Sequence, residues 1–301
     1  MKQIINSIIA SLTLATLFLT SCGSVSTSND SGLNILASTT FLADIAQNIA
    51  GDRLVVTSLL PAGSDPHAYQ AAPSDVARIT ESDLLILNGL EYEHFIESLL
   101  ENSGGERLII EATTGLSPNE DAESEHGVDP HMWLDPNLVV TYVENIRIGL
   151  TEIDPDGADI YKMNAEEYIV QLKNLDSWIV EQINTIPVKR RLLVTNHEAF
   201  GYFAKRYGFK IIGSVIPSFS SNAAPSAKEM ASLIDEIKRL NVPTIFLDTA
   251  ENDTIAKQVA DETNVMIIDD LHLESLTEGA PAATYIDMMK HNVSRIVEAL
   301  K

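Results

Sequence analysis

Residues 157–187 read GADIYKMNAEEYIVQLKNLDSWIVEQINTIP, and this stretch decides the architecture of the chain. Tyr161, Ala165, Tyr168, Leu172, Leu175, Ile179 and Ile183 recur at steps of three and four, the period of one helix face, and Pro187 stops the pattern. A helix over 157–186 would run about 40 Å at 1.5 Å per residue. On its N-terminal side, 34–38 (NILAS), 54–60 (LVVTSLL) and 84–87 (LLIL) read as strands, with helical spacing over 41–50 between the first two. On its C-terminal side, 192–195 (LLVT), 210–213 (KIIG), 244–247 (TIFL) and 265–268 (VMII) read the same way, and helical stretches at 226–240 and 253–263 separate the last three. Such alternation predicts mostly parallel sheets covered by helices. Roughly 270 residues are more than one compact core usually takes. The predicted fold is therefore α/β with two lobes, 33–156 and 187–301, each a mostly parallel sheet flanked by helices, joined by one long rigid linker helix over 157–186. The competing arrangement is a single sheet crossed by that helix. No internal sequence repeat is visible.

The N-terminus speaks to location. Lys2 precedes a mostly apolar run to Leu19, too short for a transmembrane span and ending in small residues, so 1–21 reads as a secretory leader. Leu19-Thr20-Ser21-Cys22 looks like a bacterial lipobox, which implies cleavage before Cys22 and diacylglycerol on its sulfur. Residues 22–32 are then a lipidated cysteine and a flexible Ser-, Thr- and Gly-rich tether. Lipid chains contribute about 0.8 kcal/mol per buried CH₂, so two or three would hold the protein on the extracytoplasmic face of the cell membrane. Cys22 is the only cysteine, which excludes an intrachain disulfide. The formal charge of −23 excludes a nucleic-acid partner, because phosphate contacts need clustered Lys and Arg. Mutual repulsion at this charge predicts a soluble monomer.

Three histidines carry the chemistry, one per third of the chain. His67 lies in 63–69 (GSDPHAY), a turn beyond a strand end, where open α/β sheets bind ligands. His131 lies between Pro130 and Pro136 in 129–136 (DPHMWLDP), with Trp133 to shield it and Asp135 as a hydrogen-bond acceptor that could orient it. His197 follows the strand at 192–195 and opens a helix through Phe200, Tyr202 and Phe203. Each of these alone also reads as an exposed loop, a packed turn or a helix cap. If a fold brings them together, three imidazoles would bind a transition-metal ion. His94, His126, His272 and His291 are weaker candidates, His126 lying in the acidic run 119–126 (NEDAESEH). There is no HExxH, CxxC, phosphate-binding Gly loop or GxSxG elbow.

Taken in order behind a lipobox, these segments resemble the metal-specific solute-binding lipoproteins of ATP-binding-cassette importers, the cluster that contains zinc and manganese receptors. The resemblance covers nearly all of the chain beyond the leader. It rests on Asp65-Pro66-His67 with Tyr69 and 73–75 (PSD), on 130–136 (PHMWLDP), and on 195–203 (TNHEAFGYF) with Tyr207-Gly208. In that family the fourth ligand is a carboxylate, usually Asp, shortly before a Ser-Leu or Ser-Ile pair. The matching segment is 271–276 (LHLESL), so the resemblance implies Glu274, one methylene longer than usual, with Asp269, Asp270 and a water as competitors.

The resemblance further implies a receptor in which His67 and His131 from one lobe, and His197 and Glu274 from the other, hold an ion in the cleft and pass it to permease subunits in the membrane. Three imidazoles and a carboxylate suit Zn²⁺, with Mn²⁺ next; family members with this ligand set are assigned to manganese, and the long His-rich loop of zinc receptors is missing here. Affinity should fall below about pH 6.5, because ligating histidines must be neutral. Two rival functions share parts of this description. A secreted zinc hydrolase would leave the fourth position to water and needs a base, for which Glu198 could be nominated. A surface adhesin would share both anchor and fold.

Overall fold

The structure of the chain is a computed structural model that describes residues 32–118, 123–124 and 127–301. The leader, Cys22, the tether before Gly32 and His126 lie outside the described residues. The first half runs β1 (Ile35–Ala37), α1 (Thr40–Ala50), β2 (Val56–Ser58), α2 (Pro73–Thr80), β3 (Leu84–Leu87), α3 (Glu97–Asn102) and β4 (Leu108–Glu111). A short antiparallel pair follows, β5 (Glu123–Ser124) and β6 (Gly127–Val128), and then α4 (Pro136–Ile153). The long helix α5 is Ala158–Ile183. Beyond it come β7 (Leu192–Thr195), α6 (Gly201–Tyr207), β8 (Lys210–Ser214), α7 (Ala227–Leu240), β9 (Thr244–Asp248), α8 (Thr254–Thr263), β10 (Met266–Leu271) and α9 (Tyr285–Leu300).

Two four-stranded sheets result, ordered β2-β1-β3-β4 and β10-β9-β7-β8, and every pairing within them is parallel. The central strands β3 and β9 are buried along their whole length, which is why they read as unbroken apolar runs rather than alternating ones. The expected strand at 54–60 shortens to β2; Leu59 and Leu60 still donate backbone hydrogen bonds to Ala37 and Ser38, but the chain turns away there toward the His67 loop. The edge strand β4 and the helix α4 were not legible as elements. β4 alternates half-buried and exposed residues over only four positions, and α4 starts on Pro136 directly after the candidate His131 segment.

All seven apolar positions of the 157–187 pattern are buried in α5. They pack on α1 and α4 of the first half and on α9 of the second. The largest apolar core consequently runs through both halves: Phe41, Trp133 and Tyr142, the buried stripe of α5, and Phe203, Phe246 and Tyr285 are one cluster. Each sheet keeps a smaller cluster on its other face, around Leu36, Leu85 and Ile96 in the first and Val194, Ile245 and Val259 in the second. Thr39, Asp135, Ser226 and Thr284 cap α1, α4, α7 and α9, each side chain accepting from a backbone N–H of the first turn.

Candidate metal centre

Four side chains from four loops meet between the two sheets. His67, His131, His197 and Glu274 each offer one donor atom, and all four atoms lie within 4.8 Å of one another. Nε2 of His67 is 3.0 Å from Oε1 of Glu274, Nε2 of His131 is 3.2 Å from the same oxygen, and Nε2 of His197 is 3.3 Å from Nε2 of His131. His197 Nε2 stands 3.7 Å from the Glu274 oxygen. Donors about 2.0–2.1 Å from a tetrahedral ion are separated by about 3.3–3.4 Å, close to the three shortest of these spacings, and the wider ones would draw in around a small divalent cation.

Local sequence explains each placement. His67 sits on the loop after β2, where Asp65 Oδ1 accepts the His67 backbone N–H at 2.8 Å and Oδ2 accepts from Ser221 of the other half at 2.8 Å. Tyr69 and Asp75 pin the far side of that loop: Asp75 Oδ2 accepts from the Tyr69 hydroxyl and from Ala72 N–H, each at 2.8 Å. His131 is fully buried, with its ring 5.1 Å from that of Trp133. Trp133 stacks on Phe41 at 4.6 Å and donates Nε1–H to the carbonyl of Leu273, next to Glu274. Tyr285 returns the contact by donating to the Trp133 carbonyl at 2.7 Å. His197 leaves the carboxyl end of β7, its carbonyl accepting from the Thr195 hydroxyl at 2.7 Å. It precedes rather than opens the next helix, since α6 begins at Gly201. Glu274 comes off β10 in a loop tied to the first half by Leu276 N–H to Thr40 Oγ1 and Gly63 N–H to Ser275 Oγ, each 2.8 Å.

Asp135 does not orient His131. Its carboxylate caps α4, accepting from Asn137 N–H at 2.9 Å, and Asp129 takes the expected role: its Oδ1 lies 2.8 Å from His131 Nδ1 and also accepts the His131 backbone N–H. A residue two before the ligand folds back through a tight turn, whereas Asp135 is carried off by the helix it starts. Space for Asp129 comes from Gly201, where a Cβ would stand 2.5 Å from Asp129 Oδ2. Asp129 lies against Nδ1 of His131 and Glu274 against its Nε2, so carboxylates flank both ring nitrogens, an arrangement that suits a cation shared between the ring and Glu274. His197 has a counterpart that the motifs did not signal, Glu251, whose buried carboxylate stands against Nδ1.

The competitors are accounted for. Asp269 is exposed on β10, and Asp270 pairs with Arg295 at 2.8 Å. Glu198 contributes its backbone N–H to Ser218 and is outside the four-donor group. His94 is exposed beside Glu97, His272 contacts Thr249, and His291 donates to the Asp270 carbonyl.

Burial alone would raise the Glu274 carboxyl, but the His67 imidazole, with those of His131 and His197, holds it well below the usual carboxylate range. Burial pushes the His131 and His197 rings down, and their carboxylate neighbours more than reverse this, leaving His131 raised and His197 raised well above its ordinary value. Carboxylates that favour the protonated rings make protons competitors for a cation at this centre. Beside the centre, a cavity of about 100 Å³ lined by His67, Glu91, Tyr92, His94 and Ser218 opens toward solvent. Glu274 stands as a fourth donor beside the three imidazoles, where the hydrolase reading would leave that position to water.

Comparisons with known proteins give the family. The family described as zinc-uptake complex component A, periplasmic, matches residues 35–299. The chain is 38% identical over 286 residues to the manganese-binding lipoprotein MntA of Halalkalibacterium halodurans, with 93% of each covered. It is 29% identical over 300 residues to the manganese ABC transporter substrate-binding lipoprotein PsaA of Streptococcus mitis, with 96% of each covered. Among solved structures, the periplasmic zinc-binding protein TroA of Treponema pallidum superposes with a TM-score of 0.83 at 28% identity, over 89% of this chain and 99% of that one. Two all-parallel sheets, a four-donor centre between them and matches of this length lead to one conclusion: the chain belongs to the zinc-uptake component A family of periplasmic metal-binding proteins, and it is a substrate-binding receptor of a metal ABC importer, not an enzyme.

Proposed function

We propose that the protein captures one divalent transition-metal ion with His67, His131, His197 and Glu274, that Mn²⁺ is the cargo, and that permease subunits take it from this centre. The observation that carries the reading is the gathering of one nitrogen from each of three imidazoles and one carboxylate oxygen within 4.8 Å of one another. Manganese in the names of MntA and PsaA supports the choice of cargo, as does a short acidic run at 119–126 in place of a His-rich loop. Zinc has the donor set on its side. Because Zn²⁺ outranks Mn²⁺ at almost any N/O site, tighter zinc binding in vitro would not by itself name the cargo. The deciding measurement is the metal content of protein isolated from cells supplied with both ions, together with Mn²⁺ and Zn²⁺ uptake by cells lacking the gene. A manganese-replete isolate and a selective loss of Mn²⁺ uptake support the reading; a zinc-loaded isolate with unchanged Mn²⁺ uptake overturns the cargo.

Delivery in this reading involves small movements, since α5 is buried against helices of both halves. The mature protein is a monomer anchored through diacylglycerol on Cys22, a placement that fits the lipoprotein names of MntA and PsaA. Among the described residues no helix is long and apolar enough to cross a membrane. Cys22→Ser protein should leave the membrane fraction; its retention there after a high-salt wash would dismiss the anchor.

A further inference from the structure

Glu251 is the least expected charged group in the molecule. It lies just beyond β9, at the crevice where the strand order turns from β7 to β9, the place where open α/β sheets bind their ligands. Its side chain is only 1% exposed and touches the equally buried Nδ1 of His197 as an ion pair. The contact is close but not aligned as a hydrogen bond, and neither carboxylate oxygen has any other hydrogen-bond partner. A buried carboxylate without such partners is costly unless a cation stands close by. Its neighbour Asp248 is satisfied differently, accepting the backbone N–H groups of Ala250 and Leu273. Asp248 thereby ties the Glu251 loop to the loop that carries Glu274.

We propose that Glu251 is a positioning residue for the cargo ion: it accepts a hydrogen bond from Nδ1–H of His197 when the ion is bound, aims the Nε2 lone pair at the ion, and places a negative charge behind the centre that a bound cation offsets. The proposal rests on the four-donor reading of the site. It makes Glu251 the partner of Asp129, so that each half supplies one histidine with a carboxylate behind it. Outer carboxylates of this kind change metal affinity by about 10- to 100-fold when removed.

Zn²⁺, which is diamagnetic, is the probe for the test. Its affinity is measured by chelator competition for the wild type, Glu251→Ala, Glu251→Gln and His197→Ala, and the His197 ring tautomer is read from its nitrogen chemical shifts in the metal-free protein, at a pH where the ring is neutral. Glu251→Ala should weaken Zn²⁺ binding by about 10- to 100-fold and leave His197 without a single tautomer. Glu251→Gln, whose amide oxygen still accepts a proton, should restore the tautomer and recover part of the affinity. If Glu251→Ala does not fold, Glu251→Gln decides: weakened binding supports the proposal, and affinity within about twofold of wild type overturns it. An unchanged tautomer in Glu251→Ala also overturns it. His197→Ala separates the two readings. Undiminished Zn²⁺ binding there would sink the four-donor centre itself, whereas weakened binding with both Glu251 variants unaffected would sink only the role of Glu251.

Discussion

The two halves of the chain repeat one strand order, β2-β1-β3-β4 and β8-β7-β9-β10, yet of their candidate ligands only His131 and Glu274 come from beyond corresponding strands. In the first half His67 follows β2 and His131 lies beyond β4; in the second, His197 follows β7 and Glu274 follows β10. Their settings differ too. His131 and His197 are buried and backed by carboxylates, while the His67 ring is 11% exposed and lines the opening beside the centre. A shared frame thus determines where strand ends point, toward the space between the sheets, but not which loop supplies the chemistry. The halves agree again in how they grip α5. Arg53 and Tyr161 converge on Asp154 just before the helix, and Arg206 and Tyr207 converge on Asp176 within it.

The strongest way to break this arrangement is to remove the side chain that joins the halves. Trp133→Ala deletes a fully buried ring from the shared core together with its hydrogen bond to Leu273, and should cost about 3–5 kcal/mol in chemical denaturation. A loss below about 1 kcal/mol would show that the halves do not depend on one another there. Next, His197→Ala and His67→Ala test the difference between a backed and an unbacked ligand. Both should weaken metal binding. In metal-free protein, His197→Ala should cost about 3 kcal/mol by stranding Glu251, and His67→Ala less than about 1 kcal/mol. Equal costs would erase the distinction.

Gly201→Ala probes the contact between α6 and Asp129. Its Cβ would press on Asp129 Oδ2, so the expected cost is about 1–3 kcal/mol, with Zn²⁺ affinity falling by about 10-fold as His131 loses its support. Unaltered affinity would mean that Asp129 does not orient the ring. The smallest effects belong to the two latches. The Arg53 guanidinium, opposed only weakly by burial, lowers the Asp154 pKa; at Asp176 burial raises it, but Arg206 and Tyr207 outweigh it, and this pKa is lowered as well. A carboxyl depressed in the folded state contributes stability that is present above its unfolded value, about 4, and lost as pH falls through the folded value. Asp154→Asn and Asp176→Asn should therefore each lower Tm by no more than about 3 °C at pH 7, with the gap to wild type closing toward pH 3. A gap that does not narrow at all between pH 7 and pH 3 would assign these residues a role other than charge.

Much of the fold was legible because burial imposes period. A stripe that recurs every three to four residues from Tyr161 to Ile183 has few explanations besides a helix with one buried face, and α5 buries all seven of those residues. Central strands showed as apolar runs for the same reason. β4 and α4 were harder, one being a short edge strand and the other starting where a motif ended. For the site, the three histidines and Glu274 stood out through their motifs, but the carboxylates behind them did not. Asp129 and Asp135 flank His131 at two and four residues, and the helix start at Pro136 carries Asp135 away. Glu251 is separated from His197 by 53 residues and a whole βαβ crossover, and no motif marks it.

By itself, then, the sequence determined the α/β class, the long helix, the candidate ligands and their order, since periodicity and local motifs are properties of neighbouring residues. Tertiary structure alone decided that one core runs through both halves, that the halves share a strand order without sequence repetition, and that Asp129 and Glu251 stand behind the ligands. Those facts depend on which distant surfaces meet. Contacts between segments scores of residues apart are set by the packing of whole sheets and helices, and leave no local trace in the chain.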